Sequence, residues 1–159
     1  MKVAIIGGGI TGVATAKKFS SEGNEVSIFE KNEALMSETS SKTTGLIHGG
    51  IRYLESLQFS QVKKGLKDRD EWLKLYPDCI SSERFIIPIL KSRFSNFQTL
   101  KAYLGVKLYD LLSESNKINS SSTISSADLS DIHVDLSSNV SNGVYYYDCR
   151  MNEKKIMPS

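Results

Sequence analysis

The sequence predicts an α/β protein that begins with a strand–helix–strand unit. Three observations support this prediction: a short apolar strand at 2–6, a glycine cluster directly after it, and a second strand at 25–30 that ends in an acid. The first strand is rich in β-branched residues, as expected of a parallel strand that is buried on both faces. Elements in this order are typical of a Rossmann-like, dinucleotide-binding fold.

The glycine cluster has the spacing G-x-G-x-x-G, which is formed by Gly7, Gly9 and Gly12, with Gly8 as an additional glycine. The first glycine of this motif permits a tight turn, and the second lets the main chain approach a ligand. The third allows the next helix to pack on the strand. The helix predicted at about 11–20 would direct its N-terminal N–H groups and its dipole at the turn. A pyrophosphate group is therefore the expected ligand.

The acid at the end of the second strand is Glu30, at about the 20-residue spacing from the glycines that the motif requires. A carboxylate at this place binds the ribose hydroxyls of an adenosine and repels a 2′-phosphate, which disfavours NADP. NAD and FAD both fit the motif. Lys31 is grouped with these predicted cofactor contacts. The alternative is a chance glycine cluster in an ordinary strand–helix–strand unit.

Composition excludes several classes of protein. A chain of 159 residues can form one domain with a core, and its formal net charge of +2 gives no reason to expect a nucleic-acid partner. Cys79 and Cys149 have no close cysteine or histidine neighbours, so neither a disulfide framework nor a metal site is expected, and a cytoplasmic location is indicated. The sequence contains no recognisable signal peptide and no membrane-spanning apolar run.

The remaining elements follow from periodicity and from turn residues. Apolar residues at three- and four-residue intervals predict a helix that ends before Pro77, and Pro88 restricts the next strand to a sheet edge or a bulge. The predicted elements are a helix within 51–76, a strand at 83–90, a helix at 97–112, a loop at 113–122, a short helix capped by Ser125 or Ser126, and a strand at 143–148. The residues expected to form a solvated face of the first helix are Lys67, Asp68, Asp70 and Lys74.

The helix at 97–112 has two interpretations. Its apolar residues either pack into the core or contact an anionic membrane surface, since basic residues flank them. Core packing is the favoured interpretation. The residues concerned are Lys91, Arg93, Phe94, Phe97, Leu100, Lys101, Tyr103, Leu104 and Lys107.

A second and more specific motif occupies residues 39–55, which read TSSKTTGLIHGGIRYLE. A segment of hydroxyls, glycines and one lysine cannot bury a core, but it can offer hydroxyl and N–H groups to an extended cofactor. The glycines after the histidine would allow close approach to a flat ring. The alternative is a solvent-exposed loop. The predicted cofactor contacts here are Ser40, Ser41, Thr44, His48, Gly49 and Gly50.

The two motifs together resemble those of the FAD-dependent, quinone-linked glycerol-3-phosphate dehydrogenases, within the wider group of D-amino-acid-oxidase-like flavoproteins. The resemblance runs in order over about residues 1–153 and is specific at 5–12 and 39–55. It implies FAD as the cofactor, glycerol 3-phosphate as the substrate and quinone as the electron acceptor. A peripheral contact with the inner face of the cell membrane is the expectation under the second interpretation of the helix at 97–112. Hydride would pass from the alcohol carbon to the flavin.

Members of that family are several-fold longer, so the chain is expected to be an N-terminal third, truncated within a second domain. The expected organisation is an FAD-binding Rossmann-like region with inserted helices at 1–112, a Ser/Asn-rich loop at 113–124, and the start of a substrate domain at 125–159.

The resemblance also suggests roles for three residues near the second motif. Arg52 and Tyr53 are expected to bind the substrate phosphate, because a guanidinium forms two parallel bonds to phosphate and a phenol adds a third donor. His48 is expected beside the flavin, either as a hydrogen-bond partner or as the catalytic proton acceptor for the alcohol. The alternatives are a structural histidine bonded to the main chain and an ordinary surface arginine.

Two departures from the family pattern leave the substrate open. Gly45 stands where the family has a lysine. Relatives that act on other 2-hydroxy acids often have glycine there, and so do the anaerobic glycerol-phosphate enzymes. Asn152 and Glu153 replace a pair of aspartates. An FAD-dependent oxidoreductase of another 2-hydroxy or amino acid, and an inactive remnant, are therefore the alternatives.

Overall fold

The computed structural model describes residues 1–113, 118–132 and 139–152. Its strands are β1 (Lys2–Ile6), β2 (Glu25–Phe29), β3 (Leu46–Ile47), β4 (Ile80–Leu90), β5 (Ser122–Ser125) and β6 (Val140–Met151). Its helices are α1 (Ile10–Ser21), α2 (Phe59–Leu75), α3 (Ser95–Leu112) and α4 (Ser126–Ile132), with 3₁₀ turns at Thr39–Ser41 and Ile51–Leu54. These elements group into two units, Met1–Thr44 and Gly45–Ser159.

The first unit is the predicted strand–helix–strand unit. β1 and β2 pair in parallel, with Val3 opposite Val26, and α1 forms the crossover that a parallel pair requires. The prediction that the first strand is buried on both faces is wrong, because Ile6 is 92% and Phe29 is 60% exposed. Burial alternates along both strands, so only one face of this two-stranded sheet is covered within the described residues of the unit.

The second unit is built around β6, which pairs antiparallel with β3, β4 and β5. β4 and β6 are both longer than predicted, and their register runs from Ile80 opposite Met151 to Leu90 opposite Val140. Among the described residues β4 pairs only with β6, which confirms the edge position that Pro88 predicts. The sheet is therefore antiparallel and organised by the last described strand.

The serine-rich stretch contains a strand that the sequence prediction missed. β5 begins at the end of the predicted loop and pairs with β6, which buries the side chain of Ile124. The short helix that follows is confirmed together with its cap, because Ser125 Oγ accepts a 3.2 Å hydrogen bond from the N–H of Asp128. Pairing with a distant strand, rather than local composition, gives this stretch its structure.

α2 and α3 contribute the core of the second unit. Val62, Leu66 and Tyr109 form one buried cluster, which confirms the periodicity that predicts α2. Core packing of the apolar face of α3 is the wrong interpretation, because α3 buries Val106 and Tyr109 instead. The face that was expected in the core is exposed, at 65% for Phe94, 68% for Phe97, 54% for Leu100 and 58% for Leu104.

The two units divide the chain at a different place from the predicted boundaries after residues 112 and 124. β6 shares its sheet with β3 and β4, so the predicted start of a substrate domain and part of the predicted FAD-binding region belong to the same unit. The functional division stays a prediction. Residues 114–117 of the predicted loop, and 133–138 and 153–159 of the predicted last region, lie outside the described residues.

Candidate cofactor and substrate sites

The glycine turn in the first unit depends on two of its predicted glycines. Gly7 has φ +100°, a left-handed conformation that favours glycine, and its N–H donates a 2.8 Å hydrogen bond to Phe29 O. A Cβ atom on Gly12 would lie only 1.9 Å from the carbonyl oxygen of Gly7. The turn and the first turn of α1 therefore approach each other more closely than any side chain allows.

Glu30 lies beside this turn, as predicted, and it is already bonded to the main chain. Its Oε2 accepts a 2.6 Å hydrogen bond from the N–H of Gly8, and its Oε1 accepts a 3.0 Å bond from the N–H of Asn32. These bonds, that from Gly8 above all, hold the pKa of the Glu30 carboxyl below its usual value. The carboxylate therefore orients the glycine turn, and its contact with a ribose stays a prediction.

Ser40 is the hydroxyl residue that the structure brings to the start of α1. Its Oγ accepts a 3.0 Å hydrogen bond from the N–H of Ile10, and a Cβ on Gly9 would lie 3.3 Å from the same oxygen. Because Ser40 is the acceptor in this bond, its own proton can be donated to an anion at the same helix end. α1 has no acidic residue in its first turn, so this end fits a pyrophosphate.

The other predicted contacts in the first unit are placed differently. Ser41 Oγ donates to the carbonyl of Glu38 at 2.7 Å and thus stabilises its own 3₁₀ turn. Lys31 forms a 3.2 Å ion pair with Glu38, and Thr44 is exposed. The structure brings Ser40, Glu30 and the glycines together, whereas Ser41 and Lys31 are engaged within the loop.

In the second unit, a cavity of about 540 Å³ brings together four of the predicted residues of the second motif, His48, Gly50, Arg52 and Tyr53. The pairing of β3 with β6 places the histidine segment, which continues directly from β3, beside β6. The lining residues are Leu46, His48, Gly50, Ile51, Arg52, Tyr53, Phe85, Tyr146 and Asp148. Leu46 and Ile51 belong to the second motif but were not predicted as contacts. Phe85, Tyr146 and Asp148 were not predicted because they come from two strands distant in sequence.

Arg52 and Tyr53 lie on the 3₁₀ turn that follows Gly50, whose φ of +76° favours glycine. Both side chains are exposed, as is His48, so all three can be reached from solvent. Among the described residues Arg52 forms no ion pair. A guanidinium without a carboxylate partner, at the edge of a cavity, is suited to binding an anionic group.

Gly49 is a glycine for a different reason from the one that the sequence suggested. Its N–H donates a 2.7 Å hydrogen bond to the hydroxyl of Tyr109. A Cβ at this position would lie 2.5 Å from Leu66 and 2.7 Å from the Tyr109 hydroxyl. The residue is buried against α2 and α3, so close packing within the unit requires glycine here. Contact of His48, Gly49 and Gly50 with a flat ring stays a prediction.

A buried polar network lies behind the cavity and was missed by the sequence analysis. Asp148 Oδ1 accepts hydrogen bonds of 2.9 Å from both Arg69 and Tyr109, and all three residues are at most 2% exposed. Arg69 also pairs with Asp70 at 2.8 Å, which corrects the expectation that Asp70 belongs to a solvated face. Lys67, Asp68 and Lys74 on the same helix are exposed as expected.

Burial and charge act in opposite directions on this network. Burial raises the pKa of the Asp148 carboxyl, and the hydrogen bonds from Arg69 and Tyr109 oppose that rise. Burial alone would lower the pKa of Arg69, but Asp148 and Asp70 raise it, so the guanidinium stays charged. Burial, and then the charge of Asp148, raise the pKa of Tyr146 in the cavity wall. Tyr146 is therefore a neutral hydrogen-bonding group.

Comparison with known proteins gives matches that extend over nearly the whole chain. The sequence profile described as "FAD dependent oxidoreductase" matches residues 2–158. The chain belongs to this family. FAD is the cofactor on which the family depends, which confirms the cofactor predicted from the two motifs.

Curated relatives of this FAD-dependent oxidoreductase chain include glycerol-3-phosphate dehydrogenases. The probable mitochondrial glycerol-3-phosphate dehydrogenase of Dictyostelium discoideum is 35% identical over 163 residues, covering 98% of this chain and 25% of the relative. The glycerol-3-phosphate dehydrogenase of Pseudomonas tolaasii is 34% identical over 155 residues, covering 98% of this chain and 29% of the relative. The predicted resemblance is confirmed, and the chain spans about a quarter of the length of these relatives.

Solved structures confirm the predicted fold class. The dithionite-reduced L-α-glycerophosphate oxidase of Mycoplasma pneumoniae, with FAD bound, has a TM-score of 0.66 at 20% identity, covering 95% of this chain and 38% of that one. The L-proline dehydrogenase of P. horikoshii has a TM-score of 0.63 at 18% identity, with the same coverages of 95% and 38%. Within the described ranges, no helix has the length and apolar character needed to cross a bilayer.

Proposed function

We propose that the protein that contains this chain oxidises glycerol 3-phosphate to dihydroxyacetone phosphate and passes the electrons to a quinone. The cavity in the second unit supports this proposal most directly, because it combines two tyrosines and a histidine with an exposed guanidinium that has no ion-pair partner among the described residues. Relatives named glycerol-3-phosphate dehydrogenases, which match nearly the whole chain, support the same substrate. When bound, FAD supplies the hydride acceptor.

Arg52 and Tyr53 would bind the phosphate of the substrate in this proposal. The two groups are adjacent on one 3₁₀ turn and both are exposed, so a guanidinium and a phenol can reach one anion. Asp148 lines the same cavity, and its pairing with Arg69 balances its negative charge. The electrostatic field at the cavity mouth is then set by Arg52, which favours an anionic ligand.

His48 would face the reacting end of the substrate. Its side chain is exposed and lines the cavity two residues before Gly50. A neutral imidazole there could accept the hydroxyl proton of the alcohol as the carbon loses its hydride. Tyr146, kept neutral by burial, would offer a hydrogen bond from the opposite strand.

The first unit would bind the ADP half of FAD. The glycine turn and the start of α1 provide main-chain N–H groups, and Ser40 adds a hydroxyl. Glu30 would accept the ribose hydroxyls with the lone pairs that its two main-chain bonds leave available. Ser41, Thr44 and Lys31 would need to be released from the contacts of their loop or approach from its exposed side. The remaining predicted flavin contacts are His48, Gly49 and Gly50.

The exposed face of α3 suggests where the electron acceptor is met. Phe97, Leu100 and Leu104 form an apolar stripe along one side of the helix, and each is more than half exposed. Exposed basic residues, Lys101 and Arg93, lie beside this stripe. An amphipathic helix of this kind can lie in the interface of an anionic membrane, where a quinone is soluble. The proposed location is therefore at the inner membrane surface.

The proposal is tested with the protein at its natural length, reconstituted with FAD and desalted. Retained flavin absorbance, together with reduction of a quinone analogue that depends on glycerol 3-phosphate, is the expected result. Tight binding of NAD without flavin uptake would contradict the cofactor. Flavin uptake without glycerol 3-phosphate oxidation would contradict the substrate alone.

Another 2-hydroxy acid or an amino acid, in place of glycerol 3-phosphate, is the second candidate substrate, and Gly45 favours it. This residue has φ +65° and is buried, and its carbonyl accepts a 2.7 Å hydrogen bond from the N–H of Met151. With glycine here, the chain lacks the cation that the resemblance would place at this position. A lysine with this left-handed backbone conformation would be strained. Activity should be compared among glycerol 3-phosphate, 2-hydroxyglutarate and free amino acids. A preference for an acid without phosphate would support this second candidate.

A further inference from the structure

We infer that Tyr109 and Asp148 are positioning residues that hold the segment from His48 to Gly50 in the geometry needed for catalysis. The inference rests on the proposed oxidation of an alcohol at the cavity that this segment lines. Neither residue is required by the predicted phosphate or cofactor contacts. Tyr109 is connected to the cavity through the main chain of Gly49, and Asp148 both accepts from Tyr109 and lines the cavity itself.

A continuous path of hydrogen bonds links Gly49 to α2. The Gly49 N–H donates to Tyr109 Oη at 2.7 Å, and the Tyr109 hydroxyl donates to the Asp148 carboxylate, whose oxygens lie at 2.9 and 3.0 Å. Arg69 donates to the same carboxylate at 2.9 Å and to the carbonyl of Tyr147 at 3.3 Å. One path thus joins the histidine segment, α3, β6 and α2.

Two of these elements, α2 and α3, also confine Gly49 by packing. A Cβ at Gly65 on α2 would lie 2.9 Å from the carbonyl oxygen of Gly49, and a Cβ on Gly49 would lie 2.5 Å from Leu66 and 2.7 Å from the Tyr109 hydroxyl. Gly49 has no side chain that could anchor it. The hydrogen bond from its N–H group to Tyr109 therefore fixes the orientation of the peptide between His48 and Gly49. Rotation of this peptide would move His48 on one side and Gly50, with its left-handed backbone, on the other.

Stability alone does not account for this network. Replacing a buried ion pair by well-packed apolar residues is often neutral or stabilising, so a buried Arg–Asp–Tyr set is weak evidence for a purely structural role. A phenylalanine at position 109 would keep the edge-to-face contact with Tyr146, whose ring centroid lies 5.8 Å away. The hydroxyl of Tyr109 and the carboxylate of Asp148 instead define one orientation of the peptide beside the cavity. Asp148 itself lines that cavity.

The test compares three variants of the protein at its natural length, loaded with FAD. Tyr109→Phe removes the hydroxyl and keeps the ring, whereas Asp148→Asn keeps an oxygen for Tyr109 and removes the charge. Tyr103→Phe is the matched control, because it removes a hydroxyl from the same helix outside the network. The measurements are kcat and KM for glycerol 3-phosphate, the visible circular dichroism of the bound flavin, and the temperature of unfolding.

A positioning role predicts a kcat about ten- to a hundredfold lower for Tyr109→Phe, with KM changed less than about threefold, because small misplacements of reacting groups are costly to rate. KM is protected because the long side chain of Arg52 can adjust, whereas the peptide of Gly49 cannot. The flavin dichroism should change in Tyr109→Phe and stay unchanged in Tyr103→Phe. Asp148→Asn should show the same kinetic pattern with a smaller loss.

Other outcomes would overturn the inference. A purely structural network predicts that Asp148→Asn lowers the unfolding temperature most and that Tyr109→Phe keeps its kcat. If Tyr109→Phe does not fold, the inference would be overturned by an Asp148→Asn variant whose kcat and flavin dichroism are both unchanged. If the parent protein binds flavin but does not oxidise glycerol 3-phosphate, the proposed substrate is wrong. Flavin dichroism that is identical in the parent and in Tyr109→Phe would then also overturn the positioning role.

Discussion

The carboxylate of Glu30 accepts a 2.6 Å hydrogen bond from the N–H of Gly8, which lies 22 residues earlier in the chain. This bond ties the end of β2 to the turn after β1, at the point where a pyrophosphate is expected. It stabilises the charged form of the carboxyl and thereby lowers its pKa in the folded state.

The first prediction follows from the sign of that shift. The bond should stabilise the folded unit fully above the ordinary glutamate pKa of about 4.3, and this stabilisation should be lost as the pH falls through the lower, folded-state value. A pH titration of the Gly8 amide followed by NMR should have its midpoint below about 4.3. Glu30→Gln should abolish that step. A midpoint at or above the ordinary value would show that the bond does not persist in solution.

The second prediction concerns two glycines in contrasting surroundings. Gly12→Ala places a Cβ where it overlaps the carbonyl oxygen of Gly7, and neither main chain can yield easily. We expect a loss at the upper end of the about 1–3 kcal/mol that overpacking costs, together with loss of FAD retention. Gly105→Ala is the control, since its Cβ would meet nothing within 4 Å on α3. It should stabilise the helix by about 0.5–1 kcal/mol. Urea unfolding of both variants measures the difference.

A third prediction addresses the proposed phosphate contact. Arg52→Ala should lower kcat/KM for glycerol 3-phosphate by about ten- to a hundredfold, equivalent to about 1.5–3 kcal/mol for a charged hydrogen bond, with little change in FAD affinity. Arg52→Lys should recover part of the loss, because the charge returns without the bidentate geometry. Arg84→Ala, which removes an exposed guanidinium from β4, is the control. Equal losses of flavin and substrate binding would make Arg52 a structural residue.

A fourth prediction tests the apolar stripe on α3. Full burial of a leucine or phenylalanine side chain contributes about 1.5–3 kcal/mol. The double variant Phe97→Ser, Leu104→Ser should therefore bind vesicles that contain anionic lipid about tenfold more weakly, or worse, in a sedimentation assay. Trp72→Ser with Leu75→Ser removes exposed apolar side chains from α2 and should have no such effect. Equal binding of all three proteins would remove the case for a membrane contact through α3.

Local sequence signals predicted the first unit well. The turn around Gly7, the helix that contains Gly12 and the acid at Glu30 lie within one strand–helix–strand unit, so their positions depend on neighbours that are close in sequence. The prediction that both faces of β1 are buried was wrong. Burial of a strand's face depends on which elements cover the sheet, and the residues of β1 do not encode that.

The second unit depends on pairings that sequence patterns do not show. Arg69 resembles any charged residue of an amphipathic helix, and its partner Asp148 lies 79 residues away. β5 has the composition of a loop and becomes a strand only because β6 offers it a partner. The cavity residues Phe85 and Tyr146 lie opposite each other in the pairing of β4 with β6. Sequence reasoning found the motif that contains β3, but it missed the side of the cavity that Phe85 on β4 and Tyr146 on β6 form.

The central position of β6 has a consequence for the order in which the protein can form during synthesis. β3, β4 and β5 each find their partner in this strand, so their ladders cannot close until residues 140–151 have left the ribosome. The unit of 1–44 needs no later residue for its own strand pair. Nascent chains should therefore form the glycine turn early, whereas β4 keeps an unpaired edge until a strand about 60 residues later has been synthesised. Chaperone demand during translation should be concentrated in that interval.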